Sequence, residues 1–146
     1  MNLKGSVMII ENKDFQKIKE KHAKELLFFL LDNVKDEFSI LCNLEGIEFS
    51  PELPSHIKSA FKDVIMFVLA NYTLSTAKIE DENLIFEAGF GEENFGSVVR
   101  VPIENIIQIL QYETPLFINV SATLPKEKKP KNPFELNPRN KKLIGE

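Results

Sequence analysis

Residue types that do chemistry are sparse in this chain of 146 residues: one cysteine, Cys42, two histidines, His22 and His56, and acidic pairs at Asp81-Glu82 and Glu92-Glu93. A thiol nucleophile needs a base or an electropositive pocket to form its thiolate, and a metal ion needs clustered ligands. Cys42 lies in the run FSILCN and each histidine stands alone, so these residues read as a core thiol and as structural or solvated imidazoles. The acidic pairs fall in polar turns, whereas a general acid needs a carboxyl in an apolar pocket to raise its pKa. Gly89 and Gly91 in AGFGEENFG suggest a phosphate loop only superficially, because a dinucleotide fingerprint feeds a helix and this segment feeds a strand. The kinase type of glycine hairpin does join two strands, but no VAIK-like lysine and no catalytic-loop signature follow it. No catalytic residue, metal site or cofactor is therefore expected, and function is to be sought in a groove or a sheet edge.

Composition sets the frame for such a surface. An apolar fraction of 43% with twelve Phe fills the core of one domain. A single cysteine forms no internal disulfide, which suits a reducing compartment. The longest apolar run, LLFFLL from Leu26 to Leu31, is far short of the roughly 20 residues needed to span a bilayer. The start MNLKGSVMIIENK lacks the apolar region and cleavage site of an export signal, so a soluble, cytoplasmic protein with no membrane partner is expected. Net charge is −4, unevenly spread: Pro125 to Glu146 holds seven basic and three acidic residues, leaving eleven and nineteen before it. The body thus carries −8 and the tail +4, and an acidic body opposes a nucleic-acid partner.

The elements that would build the surface follow from periodicity. Asn12 is placed to cap a helix over residues 13–33, on which Phe15, Ile18, His22, Leu26 and Leu30 form one stripe and Ala23, Leu27, Leu31 and Val34 another. So broad an apolar face either sits deep in one domain or packs on both its own sheet and a partner subunit. Phe38 to Asn43 and Ile47 to Phe49 read as strands. The spacing from Ile57 to Leu69 fits a helix, yet VIMFVL also fits a buried strand; a short helix at Ser55 to Lys62 followed by a strand at Val64 to Asn71 competes with one continuous helix. Ala77 to Glu80 and Leu84 to Phe90 flank a polar turn as a hairpin, and Leu84, Phe86, Ala88 and Phe90 share one face. Val98 to Val101 completes a meander, Pro102 opens a helical turn through Ile103, Ile106, Ile107 and Leu110, and Leu116 to Val120 is the last strand. Two domain regions result: a folded body over 1–124 and a flexible basic, Pro-rich tail over 125–146, interrupted by the islets Phe134 with Leu136 and Leu143 with Ile144.

The runs LLDN at Leu30 to Asn33, GIEFSPELP, DVIMFVLANYTL, and ENLIFEAGFG followed by VVRVPIENIIQI occur in an order that resembles the SspB (stringent starvation protein B) family. That family consists of adaptors for the ClpXP protease. The resemblance extends over Leu26 to Val120. It implies an α+β, mostly β fold: a strongly bent antiparallel Sm-like sheet, a partial barrel, with an amino-terminal helix that forms a homodimer. It also implies that ssrA-tagged proteins are partners, their tags held as extended peptides in an apolar groove, and that the tail docks on the ClpX unfoldase.

Carried onto this sequence, the groove would run along Ala70, Asn71, Tyr72 and Leu74 and along Ala88, Phe90 and Gly91, with main-chain groups of both segments bonding the peptide. Leu26, Leu27, Phe29 and Leu30 would serve the dimer interface, and Phe134, Leu136, Leu143 and Ile144 the docking tail. The ending KKLIGE is only loosely like the family's docking motif, and the tail is short and basic where familiar members have long acidic linkers. As a flexible coil its 22 residues would still span on the order of 26 Å. Two other readings stand beside this one. One is an Sm-like or OB-like RNA-binding module, and the other is a structural protein whose edge strand pairs with a different partner.

Overall fold

The structure, a computed structural model, describes residues 8–126. Helix α1 (Lys13–Asn33) starts where Asn12 Oδ1 accepts the Phe15 N–H at 2.9 Å, satisfying one of the donors that a helix start leaves free. It ends at Val34, whose extended backbone returns its N–H to the Leu30 carbonyl at 2.8 Å. Of its two stripes, Ala23, Leu27 and Leu30 are buried, and they lie on one face by their spacing of four and three.

Eight strands follow: β1 (Glu37–Asn43), β2 (Glu48–Ser50), β3 (Val64–Ala70), β4 (Lys78–Glu80), β5 (Asn83–Phe90), β6 (Phe95–Pro102), β7 (Ile106–Gln111) and β8 (Thr114–Ile118). Two short helices, α2 (Ser55–Lys58) and α3 (Asn71–Thr76), flank β3. The strands form two antiparallel sheets in the orders β3-β1-β7-β8 and β2-β6-β5-β4. This is the α+β, strand-rich class expected, with the sheets remaining separate rather than closing a barrel.

Alternation explains the core. Phe38, Ile40 and Cys42 on β1, Leu84 and Phe86 on β5, and Val99 and Val101 on β6 all turn inward and meet α1 in one cluster. Phe67 of β3 and Phe86 of β5 stand edge to face at 5.2 Å and join the two sheets. Burying a ring such as Phe86 contributes about 2–3 kcal/mol. Cys42 is wholly buried and its thiol is pushed far up by desolvation, so it is a core side chain.

Two segments differ from the sequence expectation. The run VIMFVL is indeed a strand after a short helix, but only Phe67 and Leu69 are buried, while Val64, Met66 and Val68 face outward. The expected helical turn through Leu110 is limited to a 3-10 turn at Ile103–Asn105. From Ile106 the chain is β7, because pairing Ile109 with Ile40 and Leu110 with Ser39 satisfies its backbone against β1 and suits its β-branched residues.

Candidate peptide groove

A trough of about 490 Å³ lies on the outer face of the β2-β6-β5-β4 sheet. Its floor follows from register: Phe86 opposite Val99 faces the core, so the alternate pairs Glu87–Val98 and Gly89–Gly96 face out. Ser50 and Pro51, where β2 ends, form the wall beside β6, and Tyr72 and Thr73 of α3 form the wall beside β5. Asn94, from the turn between β5 and β6, stands at one end.

The walls are fixed by identifiable bonds. The chain leaves β3 through Asn71 at φ 52°, a left-handed conformation that asparagine tolerates, and turns into α3 beside β5. There β4 does not begin until Lys78, opposite Ile85, so the Glu87 N–H is taken by Thr76 Oγ1 at 2.9 Å. Tyr72 donates its hydroxyl to Glu87 Oε1 at 2.6 Å, and this bond, with the nearby carboxylate charge, raises the phenol's pKa. Across the trough, Ser97 Oγ donates to the Pro51 carbonyl at 2.9 Å and ties the β2 end to the floor.

The floor is open at Gly96 and covered by Asn94 at Gly89. A Cβ on Gly96 would meet nothing within 4 Å and would project into the opening, whereas one on Gly89 would collide with the Asn94 side chain. Among the described residues the lining includes Glu87 and no lysine, arginine or histidine.

The expected groove residues divide between trough and core. Tyr72 lines the trough and Ala88 borders it, but Ala88, like Leu74 and Phe90, turns its side chain to the core. Phe90 lies 5.7 Å from Phe49, 6.1 Å from Phe61 and 6.4 Å from Phe67, so it is an aromatic core residue and not an exposed wall. Gly91 takes a turn at φ 76° against Ile57, and Ala70 and Asn71 form the corner where β3 passes into α3. Because Asn71 to Thr76 is helical, that segment cannot offer an extended main chain to a peptide, contrary to expectation. Glu87, Val98, Gly96, Ser50 and Pro51 were not expected in the site. Only Glu87 left a trace in sequence, as the charged residue within the apolar strand LIFEAGF.

Leu27 and Leu30 also need reassignment. Both are in the protomer's own core, so neither can face a partner; Leu26 packs partly against that core, and Phe28 and Phe29 are the exposed aromatics of this stretch, Phe29 at 61%. His22 is exposed on α1, and His56 Nε2 lies 2.8 Å from Glu93 Oε2. Among the described residues no group of three or more His, Cys, Asp or Glu could hold a metal ion, and no helix is long and apolar enough to cross a membrane.

Phe134, Leu136, Leu143 and Ile144 lie outside the described residues. The body holds the chain as far as Lys126, whose N–H reaches Glu45 Oε1 at 3.3 Å and whose Nζ reaches Glu104 Oε2 at 2.9 Å. This contact lines a separate polar cavity of about 630 Å³, where Asn105 donates to the Asn43 and Glu45 carbonyls at 2.8 and 2.6 Å. That cavity clamps loops and the root of the tail.

No protein-family model matches the chain, and a comparison with curated proteins finds no similar one.

Proposed function

We propose that this protein is an adaptor that captures ssrA-type degradation tags as extended peptides in the trough and delivers the tagged proteins to ClpXP. The observation that carries the reading is the floor opened by Gly96, opposite Gly89, between two walls on the sheet, with Tyr72 at one side. Glycines let a second backbone approach closely, which suits an extended peptide better than a bulky ligand. The ordered resemblance to the SspB family supports the identity of that peptide. An RNA reading fits less well, because the charged lining residue of the trough is Glu87 and the body is acidic.

Delivery on this account involves no bond-making by the chain. Residues 127–146 hold the unfoldase near a captured tag, and the resulting effective concentration improves degradation at low substrate levels. The exposed Phe28 and Phe29 and the outward Val64, Met66 and Val68 supply apolar surface for a second copy.

The test is degradation of a tagged reporter by ClpXP at limiting substrate. Adding the full chain is expected to accelerate degradation, and a chain lacking residues 134–146 is expected to bind tag peptide without accelerating it. An unchanged rate with the full chain would refute the adaptor reading.

A further inference from the structure

The trough carries a charge that an apolar groove for any extended peptide does not require. Glu87 lies in its floor, directly opposite Val98 and beneath the Tyr72 hydroxyl. Among the described residues Tyr72 is the only side chain bonded to the Glu87 carboxylate, and that bond uses Oε1. The base on the same face of β6, Arg100, lies opposite Ile85 and is engaged by Glu48 and Glu80, each at 3.8 Å. Among the described residues no lysine, arginine or histidine lines the trough to balance Glu87.

We infer that the trough selects peptides that place a lysine or arginine side chain over Glu87. This rests on the reading of the trough as a peptide site and adds to it the charge of one bound residue. The surroundings match both halves of such a side chain. Val98, 39% exposed, gives the aliphatic stem an apolar surface, and the free Glu87 oxygen accepts from the cationic head. The exposed ring of Tyr72 is held at the same carboxylate and offers its face to the same cation. Gly96 beside them, where a Cβ would meet nothing within 4 Å, leaves room for the peptide backbone to come close enough for the side chain to reach down. A peptide carboxylate at that position would meet like charge, so the trough discriminates by repulsion as well as attraction.

The experiment uses the full chain and an array of peptides based on the host's ssrA tag, in which each position in turn is lysine, its neutral isostere norleucine, or glutamate. One position is expected to favour lysine over norleucine by about fivefold, and over glutamate by more. Glu87→Gln should bind the lysine and norleucine peptides equally at that position, and Glu87→Lys should invert the preference toward glutamate. The inversion guards against a variant that merely folds poorly, since a damaged protein loses binding without gaining a new preference. Binding without a lysine preference at any position, or a preference that persists in Glu87→Gln, would overturn this inference while leaving the peptide site standing. Failure of every peptide, the unmodified tag included, would overturn both.

Discussion

The outer faces of the two sheets differ in shape and chemistry. On the β3-β1-β7-β8 sheet, Val64, Met66 and Val68 stand exposed in a row, paired with Asn43, Leu41 and Ser39. On the β2-β6-β5-β4 sheet, the equivalent face is sunk at Gly96, walled by Tyr72 and Pro51, and marked by Glu87. An open apolar row offers area without direction, which suits a large interface with another copy of the chain. A walled trough with one charge offers little area but fixes register and selects among occupants. The same core lies beneath both faces, so on the proposed function one small domain would keep assembly and recognition on separate sheets.

The sharpest way to break the comparison is to remove what the faces share. Phe86→Ala leaves a cavity where Phe67 and Phe86 join the sheets, and about 3–5 kcal/mol of stability should be lost, measured by chemical denaturation. Trough binding and assembly should then fail together.

The next changes separate the trough from the apolar surface proposed for a second copy, to which Phe29 of α1 also belongs. Phe29→Asp puts a charge on the exposed stretch of α1 and should weaken self-association by about a hundredfold in sedimentation experiments, with each monomer still binding peptide. Gly96→Val fills the trough where a Cβ meets no neighbour, so melting should barely change while peptide affinity falls by about tenfold.

The smallest effect is a titration. Tyr72 holds its proton above the ordinary tyrosine value because the phenol donates to the Glu87 carboxylate. This bond's stabilisation is therefore present below the ordinary value and lost as pH rises through the raised one. With two tyrosines in the chain, phenolate absorbance should show one of them shifting down toward the ordinary value in Glu87→Gln.

Legibility in sequence followed the range of the interactions. Helix α1 was readable because capping at Asn12 and the stripe of Ala23, Leu27 and Leu30 are local. Strand β5 was readable because alternation of Leu84, Phe86, Ala88 and Phe90 needs only one buried face. Strand β7 was misread because IIQIL places apolar residues at both helical and strand spacings, and the choice was made by pairing with β1, distant in sequence. The trough was legible only at Tyr72 and, at its border, Ala88. Its floor depends on the register of Gly89 with Gly96, and its wall on α3, a six-residue helix NYTLST with weak helix formers and a left-handed first residue. Phe90 was assigned to the wall because an apolar residue beside a turn gives no sign of which ring cluster it will join.

The central claim is that the trough holds a degradation tag, and one titration tests it directly: a fluorescent peptide of the host's ssrA tag against the native chain, Phe29→Asp and Gly96→Val, with the fold of each checked by melting. Saturable binding to the first two, weakened about tenfold in Gly96→Val, is the predicted result. Absence of saturable binding to the native chain, or equal affinity in a well-folded Gly96→Val, would contradict it.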